Sequence, residues 1–284
     1  MMKTLLISLL LLLASPLLNA QSRSAREEQE LLGPVRMARV EAVRTGANGL
    51  TGPRVPVFID VFDEKGNVLH QEAFNQDGSR KWMYDWGHAY DAEGREIKTY
   101  YYNAKGSLTN TGVSVYDDKG RVTETTQINP DGSINHIKSF SYDDKRGKVY
   151  ETFRSPDGTP GSAATRTYEK GRLTEEVFVN FDGSLHHRNT YSYDGHGNQT
   201  ESMLFKSDGT VSPWFRRSLS YDDRGNVKEA VNYLSNNSIG SKETFSYEFD
   251  EHGNWIKRKT SREVFKEGSS SSEQEVTYRT ITYF

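Results

Sequence analysis

The residues best suited to chemistry in this 284-residue chain are its tryptophans and their neighbours. Trp82, Tyr84, Trp86, His88 and Tyr90 share one parity, so a strand presents them on one face. Trp214 lies in another strand-like stretch beside Pro213 and Phe215. Flat rings with a polar tip stack on sugar rings and amphipathic ligands, and they also pack a thin sheet. We take Trp82, Tyr84, Trp86 and Trp214 as candidate ligand-binding residues, with core packing as the competing reading. The acids offer less. Asp117-Asp118, Asp143-Asp144 and Asp222-Asp223 lack the alternating spacing and distal Glu of a calcium loop. His186-His187 is the one adjacent histidine pair, and strand neighbours point to opposite faces. There is no cysteine, which excludes disulfides, thiolate metal sites and cysteine nucleophiles. No Gly-rich phosphate loop, Gly-x-Ser-x-Gly elbow or HExxH pattern occurs. The expectation is a protein that is not an enzyme and takes no metal or cofactor.

The elements that position these residues form a repeat. An aromatic followed by an acid recurs at Phe62, Tyr90, Tyr116, Tyr142, Tyr168, Tyr193, Tyr221 and Phe249, at intervals of 25 to 28 residues. A glycine follows three to five residues later each time, at Gly66, Gly94, Gly120, Gly147, Gly171, Gly197, Gly225 and Gly253. A second turn lies 12 residues beyond that glycine in most units, as at Gly78, Gly106, Gly132, Gly183 and Gly209. Two interleaved ladders at one period mark an internal array. Asp opening a turn caps its own backbone, and Gly supplies the positive φ. The segments between turns are rich in Thr, Tyr, Val, Phe and Ser, which is strand composition. Successive short turns then make an antiparallel β-meander. A column of Glu124, Glu151, Glu175, Glu201 and Glu229 could bind cations, but pairing with Lys138, Arg188, Arg217 and Lys242 on neighbouring strands explains it more simply.

Composition narrows the setting. The 36 Lys+Arg against 39 Asp+Glu leave a net charge of -3, with no general electrostatic pull toward nucleic acid. Mean hydropathy is -0.77. Residues 1–20 have the form of a secretory signal peptide: Lys3, an apolar run Leu5–Ala14, Pro16, and Ala20 before Gln21. Residues 21–31 form a polar leader, and 32–284 an array of about eight two-stranded units. The expected fold is all-β, an elongated, twisted or partly closed sheet of about 16–18 strands. An outer-membrane barrel has the signal, the strand number and a C-terminal Phe284 in its favour. Against it stand the polar run Thr123–Gln127, short turns at both ends and the low hydropathy.

The units YDAEGR (90–95), YDDKGR (116–121), YDGHGN (193–198) and YDDRGN (221–226) resemble the YD-repeat, or Rhs-type repeat, of exported bacterial proteins. The resemblance spans about residues 56–260. It implies extended antiparallel sheet, which in long arrays coils into a shell, and carbohydrate binding of the kind proposed for that family. On this reading the chain is an exported periplasmic or extracellular YD-repeat protein of the cell envelope. It acts as a non-catalytic binding or interaction module, for envelope or extracellular carbohydrate. The alternative is a structural scaffold that joins another envelope or repeat protein through open sheet edges. Partners are a polysaccharide or an envelope protein, with no nucleic acid and no stable membrane insertion after signal cleavage.

Overall fold

Turn chemistry sets the pattern of the chain, and the strands follow from it. In the turn after Tyr116, Gly120 takes φ +74° and its N–H donates to the Asp117 carbonyl at 2.9 Å. The Asp117 carboxylate accepts from the backbone N–H of Lys119 and Arg121, both at 2.9 Å. At the opposite end of that hairpin series, Gly132 takes φ +85°, and Ser133 donates its N–H to Asp131 at 3.0 Å. The structure is a computed structural model, and it describes residues 24–46, 49, 50, 52–266 and 269–284, with the side chains of 44–50 and 213–215 set aside. The expected signal segment, residues 1–20, lies outside them.

A short helix, α1 (Ala25–Glu28), opens the described chain. The strands are β1 (Val35–Gly46), β2 (Gly49–Leu50), β3 (Val55–Phe62), β4 (Val68–Phe74), β5 (Arg80–Tyr90) and β6 (Glu96–Tyr102). Then come β7 (Leu108–Tyr116), β8 (Val122–Ile128), β9 (Ile134–Asp143), β10 (Lys148–Arg154), β11 (Pro160–Glu169) and β12 (Arg172–Val179). The series ends with β13 (Leu185–Tyr193), β14 (Gln199–Lys206), β15 (Val211–Tyr221), β16 (Val227–Tyr233), β17 (Ile239–Phe249), β18 (Trp255–Lys266) and β19 (Ser269–Tyr283). All neighbours pair antiparallel, in one sheet.

The sheet closes. β1 pairs with β3 on one side, Met37 opposite Val61 and Ala38 opposite Asp60. On its other side β1 pairs with β19 over its whole length, from Val35 opposite Tyr283 to Thr45 opposite Gln274. β2 is a two-residue pairing on the tip of β1, so eighteen of the nineteen strands form the wall. At about 4.8 Å per strand and a tilt of about 40°, a circular wall of this size has a radius of roughly 18 Å. Side chains cannot fill such a width. Accordingly only twelve apolar and six polar or charged side chains are buried among the described residues. The apolar ones gather into local clusters, Leu31, Val35, Ala38 and Phe62 at the seam, and Val149, Tyr168 and Leu173 further round.

One face of the wall is continuous from strand to strand. Opposed pairs carry it from Ala38 through Asp60, Gln71 and Tyr84, and from Trp86 through Tyr101 to Asn110. It continues through Glu151, Arg166, Glu176 and Asn189 to Arg258 and Arg279, which faces Val40 of β1. This face is concave. Gln29 lies against Asp60 on β3, while the adjacent Glu30 is within electrostatic reach of Tyr221 on β15, Tyr247 on β17 and Arg279 on β19. Six strand spacings separate β15 from β3, roughly 29 Å along the sheet. Two consecutive residues reach both ends of that arc only if it curves around them.

These observations correct several expectations. The all-β reading stands, but the elongated or partly closed meander does not: the last strand completes the first. The YD-repeat identification fails with it, because an eighteen-strand closed barrel is not an open coiling array. A closed barrel forms despite the polar run Thr123–Gln127. Closure follows from strand number, tilt and twist, and hydropathy along one strand does not decide it. A scaffold joined through open edges is also excluded, since both flanks of every strand in the described wall are paired.

Candidate functional site

The aromatic row on β5 lies on the concave face. Trp82 meets Phe58 edge-on, with centroids 6.1 Å apart, and Tyr84 lies 5.4 Å from Trp82 and 6.0 Å from Trp86. Tyr84 is 50% exposed, so its ring presents itself to the lumen. A shallow cavity of about 360 Å³ opens against this row, lined by Tyr84, Trp86, Tyr101, Asn110, Gln127 and His136. The structure therefore brings Trp82, Tyr84 and Trp86 together and adds Tyr101, Gln127 and His136 from other strands. Trp214 belongs to β15, but its side chain lies outside the described residues.

Charges on the same face form networks. Arg166 spans Glu151 at 2.6 Å and Glu176 at 2.9 Å, and Lys138 reaches Glu151 at 3.3 Å. Tyr191 donates its hydroxyl to Glu176 at 2.6 Å. Sequence reasoning placed Glu151 in one column with the outward Glu124, and the structure separates them. Tyr116 and Val122 oppose each other across a register shift, which puts Glu124 opposite Val115. The following Tyr142 unit has one extra turn residue and no shift, so Glu151 opposes Phe140 and faces inward. A one-residue difference moves a side chain to the other face.

The outward column pairs as charge complementarity requires. Arg154 meets Glu124 at 3.4 Å, Arg188 meets Glu175 at 3.3 Å, and Lys242 meets Glu229 at 2.8 Å. Glu201 pairs with Arg216 at 2.8 Å, not with Arg217, which lies on the inner face near Glu243. Further along the outer face, beside the second turn of each unit, the lining changes to apolar cross-strand pairs. These are Tyr102 with Leu108, Ile128 with Ile134, Val179 with Leu185, Phe205 with Val211, and Tyr233 with Ile239. Leu108, Ile134 and Ile239 are 36%, 41% and 43% exposed. The collar is interrupted at Arg154 opposite Pro160 and at Phe74 opposite Arg80. One half of each pair is a column legible in the sequence, since Phe74, Tyr102, Ile128, Val179, Phe205 and Tyr233 each follow a first-turn glycine by eight residues.

At the other end, the N-terminal segment fastens across the seam. Arg26 donates its N–H to the Gly66 carbonyl at 3.0 Å in the β3–β4 turn. Leu32 and Asn254 exchange hydrogen bonds at 2.7 and 2.8 Å, in the β17–β18 turn. Among the described residues no group of three or more histidines and acids is placed to hold a metal. The His186 and His187 rings nevertheless approach, with their Nδ1 atoms 2.6 Å apart, next to a register shift that relaxes strict alternation.

No protein-family model matches the chain, and no curated protein matches it. Solved structures do align. A porin-like protein from Bacteroides uniformis covers 88% of this chain and 99% of its own, at 11% identity and a TM-score of 0.44. A porin-like protein from Bacteroides vulgatus covers 88% and 98%, at 10% identity and a TM-score of 0.27. The TcdB2-TccC3-Cdc42 structure matches 86% of this chain but 17% of its own, at 11% identity and 0.21. All three TM-scores lie below 0.5.

That geometry also corrects the functional expectations. A binding module for polysaccharides or envelope proteins needs its aromatic face outside, whereas the Trp82–Trp86 row lines a lumen. The expectation of a periplasmic or extracellular chain without stable membrane insertion falls as well. A closed barrel is one of the two forms that satisfy the backbone in hydrocarbon, and this one carries an apolar collar.

Proposed function

We propose that the chain is a membrane-associated β-barrel whose lumen admits small hydrophilic solutes, a non-catalytic, porin-like role. The carrying observation is the closed eighteen-strand wall around a lumen that side chains do not fill. Barrels of 16 to 18 strands are wide enough for an aqueous channel. Charge networks and half-exposed aromatics on the inner face suit polar solutes. The apolar collar beside the second turns supplies the lipid contact. Its side chains point outward along hairpins distributed from β6 to β17, and a medium that surrounds the barrel meets all of them, whereas a globular partner would meet only a few.

The test is reconstitution of the full chain into liposomes, with swelling followed in solutes of increasing size. Swelling should exceed that of protein-free liposomes and slow as solutes grow. A barrel that binds vesicles without raising permeability would overturn solute passage. Vesicle association should fall about tenfold in a Leu108→Glu, Ile134→Glu, Ile239→Glu variant, since burying three charges opposes lipid contact. Unchanged association would remove the collar from the reading.

A further inference from the structure

The inner face carries a second feature, away from the Trp82–Trp86 row. Trp255, at the start of β18, carries guanidinium groups from two strands close to its ring. Arg279 of β19 lies 3.6 Å from the ring centroid, and Arg258 of β18 lies 5.2 Å away. Arg258 also sits 5.7 Å from Phe245 of β17. A guanidinium stacked on a ring uses its flat face and leaves its N–H donors pointing outward in its own plane. One of these donors, the Nε of Arg258, is buried without an acceptor among the described residues. The Nε atoms of Arg217 and Arg262, on the same face, are likewise buried and unpartnered, although Glu243 lies 3.6 and 3.5 Å from these two side chains.

Among the described residues the surrounding acids form no hydrogen bond to either arginine. Asp60 lies within electrostatic reach of Arg279, but its Oδ1 accepts from Gln71 at 2.9 Å and its Oδ2 has no hydrogen-bond partner among the described residues. Asp250 accepts from the Tyr283 hydroxyl at 2.5 Å and from the N–H groups of His252 and Asn254. Glu30, on the N-terminal segment, is the remaining acid within electrostatic reach of Arg279. Like charges of Arg258 and Arg279 are thus held together on one indole without a hydrogen-bonded carboxylate of their own among the described residues.

We propose that Arg258 and Arg279, stacked on Trp255, form an oxyanion-binding site on the inner wall, taking the carboxylate or phosphate group of a small solute. The stacked planes hold two donor forks in place, and a planar or tetrahedral oxyanion accepts from both in a bidentate manner. Glu30 is the internal group that such an anion displaces or adjoins. The site deepens the lumen reading, because it needs a lumen that solutes enter. It does not need membrane passage, so its test is independent of swelling.

The experiment is calorimetric titration of the detergent-solubilised full chain with inorganic phosphate, succinate and chloride at constant ionic strength. Saturable binding of phosphate or succinate, not reproduced by chloride, is expected, and the stronger of the two identifies the group. Arg258→Gln and Arg279→Gln should each weaken it about tenfold, the scale of one charge-assisted contact. Arg39→Gln is the control, since its guanidinium faces outward and pairs with Glu41 at 3.1 Å. If a Gln variant loses its β circular dichroism, Arg258→Lys and Arg279→Lys keep the charge and lose the fork, and they should weaken binding too. Absence of saturable binding, equal binding by chloride, or full binding in the folded Gln or Lys variants overturns the site.

Discussion

At the residue scale, one hydrogen bond recurs around the wall. The hydroxyls of Tyr116, Tyr142, Tyr193, Tyr221 and Tyr247 each donate to a backbone carbonyl 20 to 22 residues earlier: those of Glu96, Val122, Leu173, Gln199 and Val227, at 2.6 to 2.8 Å. Each ties the end of one strand to the start of the strand before it, its direct neighbour in the sheet. A basic side chain often covers the ring: Arg95 over Tyr116, Arg121 over Tyr142 and Arg172 over Tyr193. Tyr168 breaks the series. It follows the unit with the extra turn residue, and its buried hydroxyl has no partner among the described residues. The contrast is measurable by denaturant unfolding in detergent. Tyr193→Phe should cost about 1 kcal/mol, while Tyr168→Phe should cost nothing or stabilise slightly, because it removes a buried hydroxyl without a partner. Equal losses would show that the hydroxyl ladder contributes nothing beyond ring packing.

At the element scale, the hairpins depend on ionised aspartates in their turns. Asp77, Asp131 and Asp182 are held below the usual 3.8 by hydrogen bonds from the hydroxyls and N–H groups of Ser79, Ser133 and Ser184. Thr210 does the same for Asp208. A depressed carboxyl favours the folded state above the unfolded pKa, and that contribution is lost as pH falls through the folded value. Stability should therefore drop as pH is lowered below about 4, as far as turn acids govern it. Replacing these four aspartates with asparagine, which still caps turns, should flatten the acid limb of a stability–pH curve. An unchanged acid limb would assign acid sensitivity to other carboxylates. The strands themselves have little apolar content, and the hairpins are joined as much by paired charges as by burial. Exposed pairs of this kind contribute roughly 0.2–1 kcal/mol each.

At the scale of the whole molecule, the seam is the decisive contact. Its inner side carries the cluster of Leu31, Val35, Ala38 and Phe62, and the N-terminal segment bridges the turns on either side of it. Because the chain has no cysteine, closure can be tested directly. Ala42 and Thr277 are opposed across β1 and β19, and both are buried. A double cysteine variant should form an intramolecular link under mild oxidation or with a short bis-maleimide, visible as a mobility shift that reductant or omission of the linker abolishes. A monomer that stays unlinked would mean that β1 and β19 do not meet. Most of the local structure was legible in the chain: the turn ladders placed the strands, their parity put Trp82, Tyr84 and Trp86 on one face, and the charged column announced cross-strand pairs. The candidate site was legible only in that aromatic row. Tyr101 joins it across the adjacent β5–β6 hairpin, Gln127 and His136 come from β8 and β9 further along the meander, and Arg279 reaches Trp255 through the pairing of β18 with β19.

The sequence by itself determined the strand and turn pattern, because turn chemistry and side-chain alternation act over a few residues and are written in residue type. Only the tertiary structure decided that the sheet closes, which face becomes the lumen and where the apolar collar lies. Closure depends on tilt and twist accumulated over eighteen strands, and no single repeat contains that sum. The same repeats in an open array would expose the Trp82 row to any partner, whereas closure turns it inward and leaves an unfilled interior. The seam joins residues more than two hundred positions apart, as Ala42 and Thr277 show. A period of about 26 residues carries no mark of such a contact.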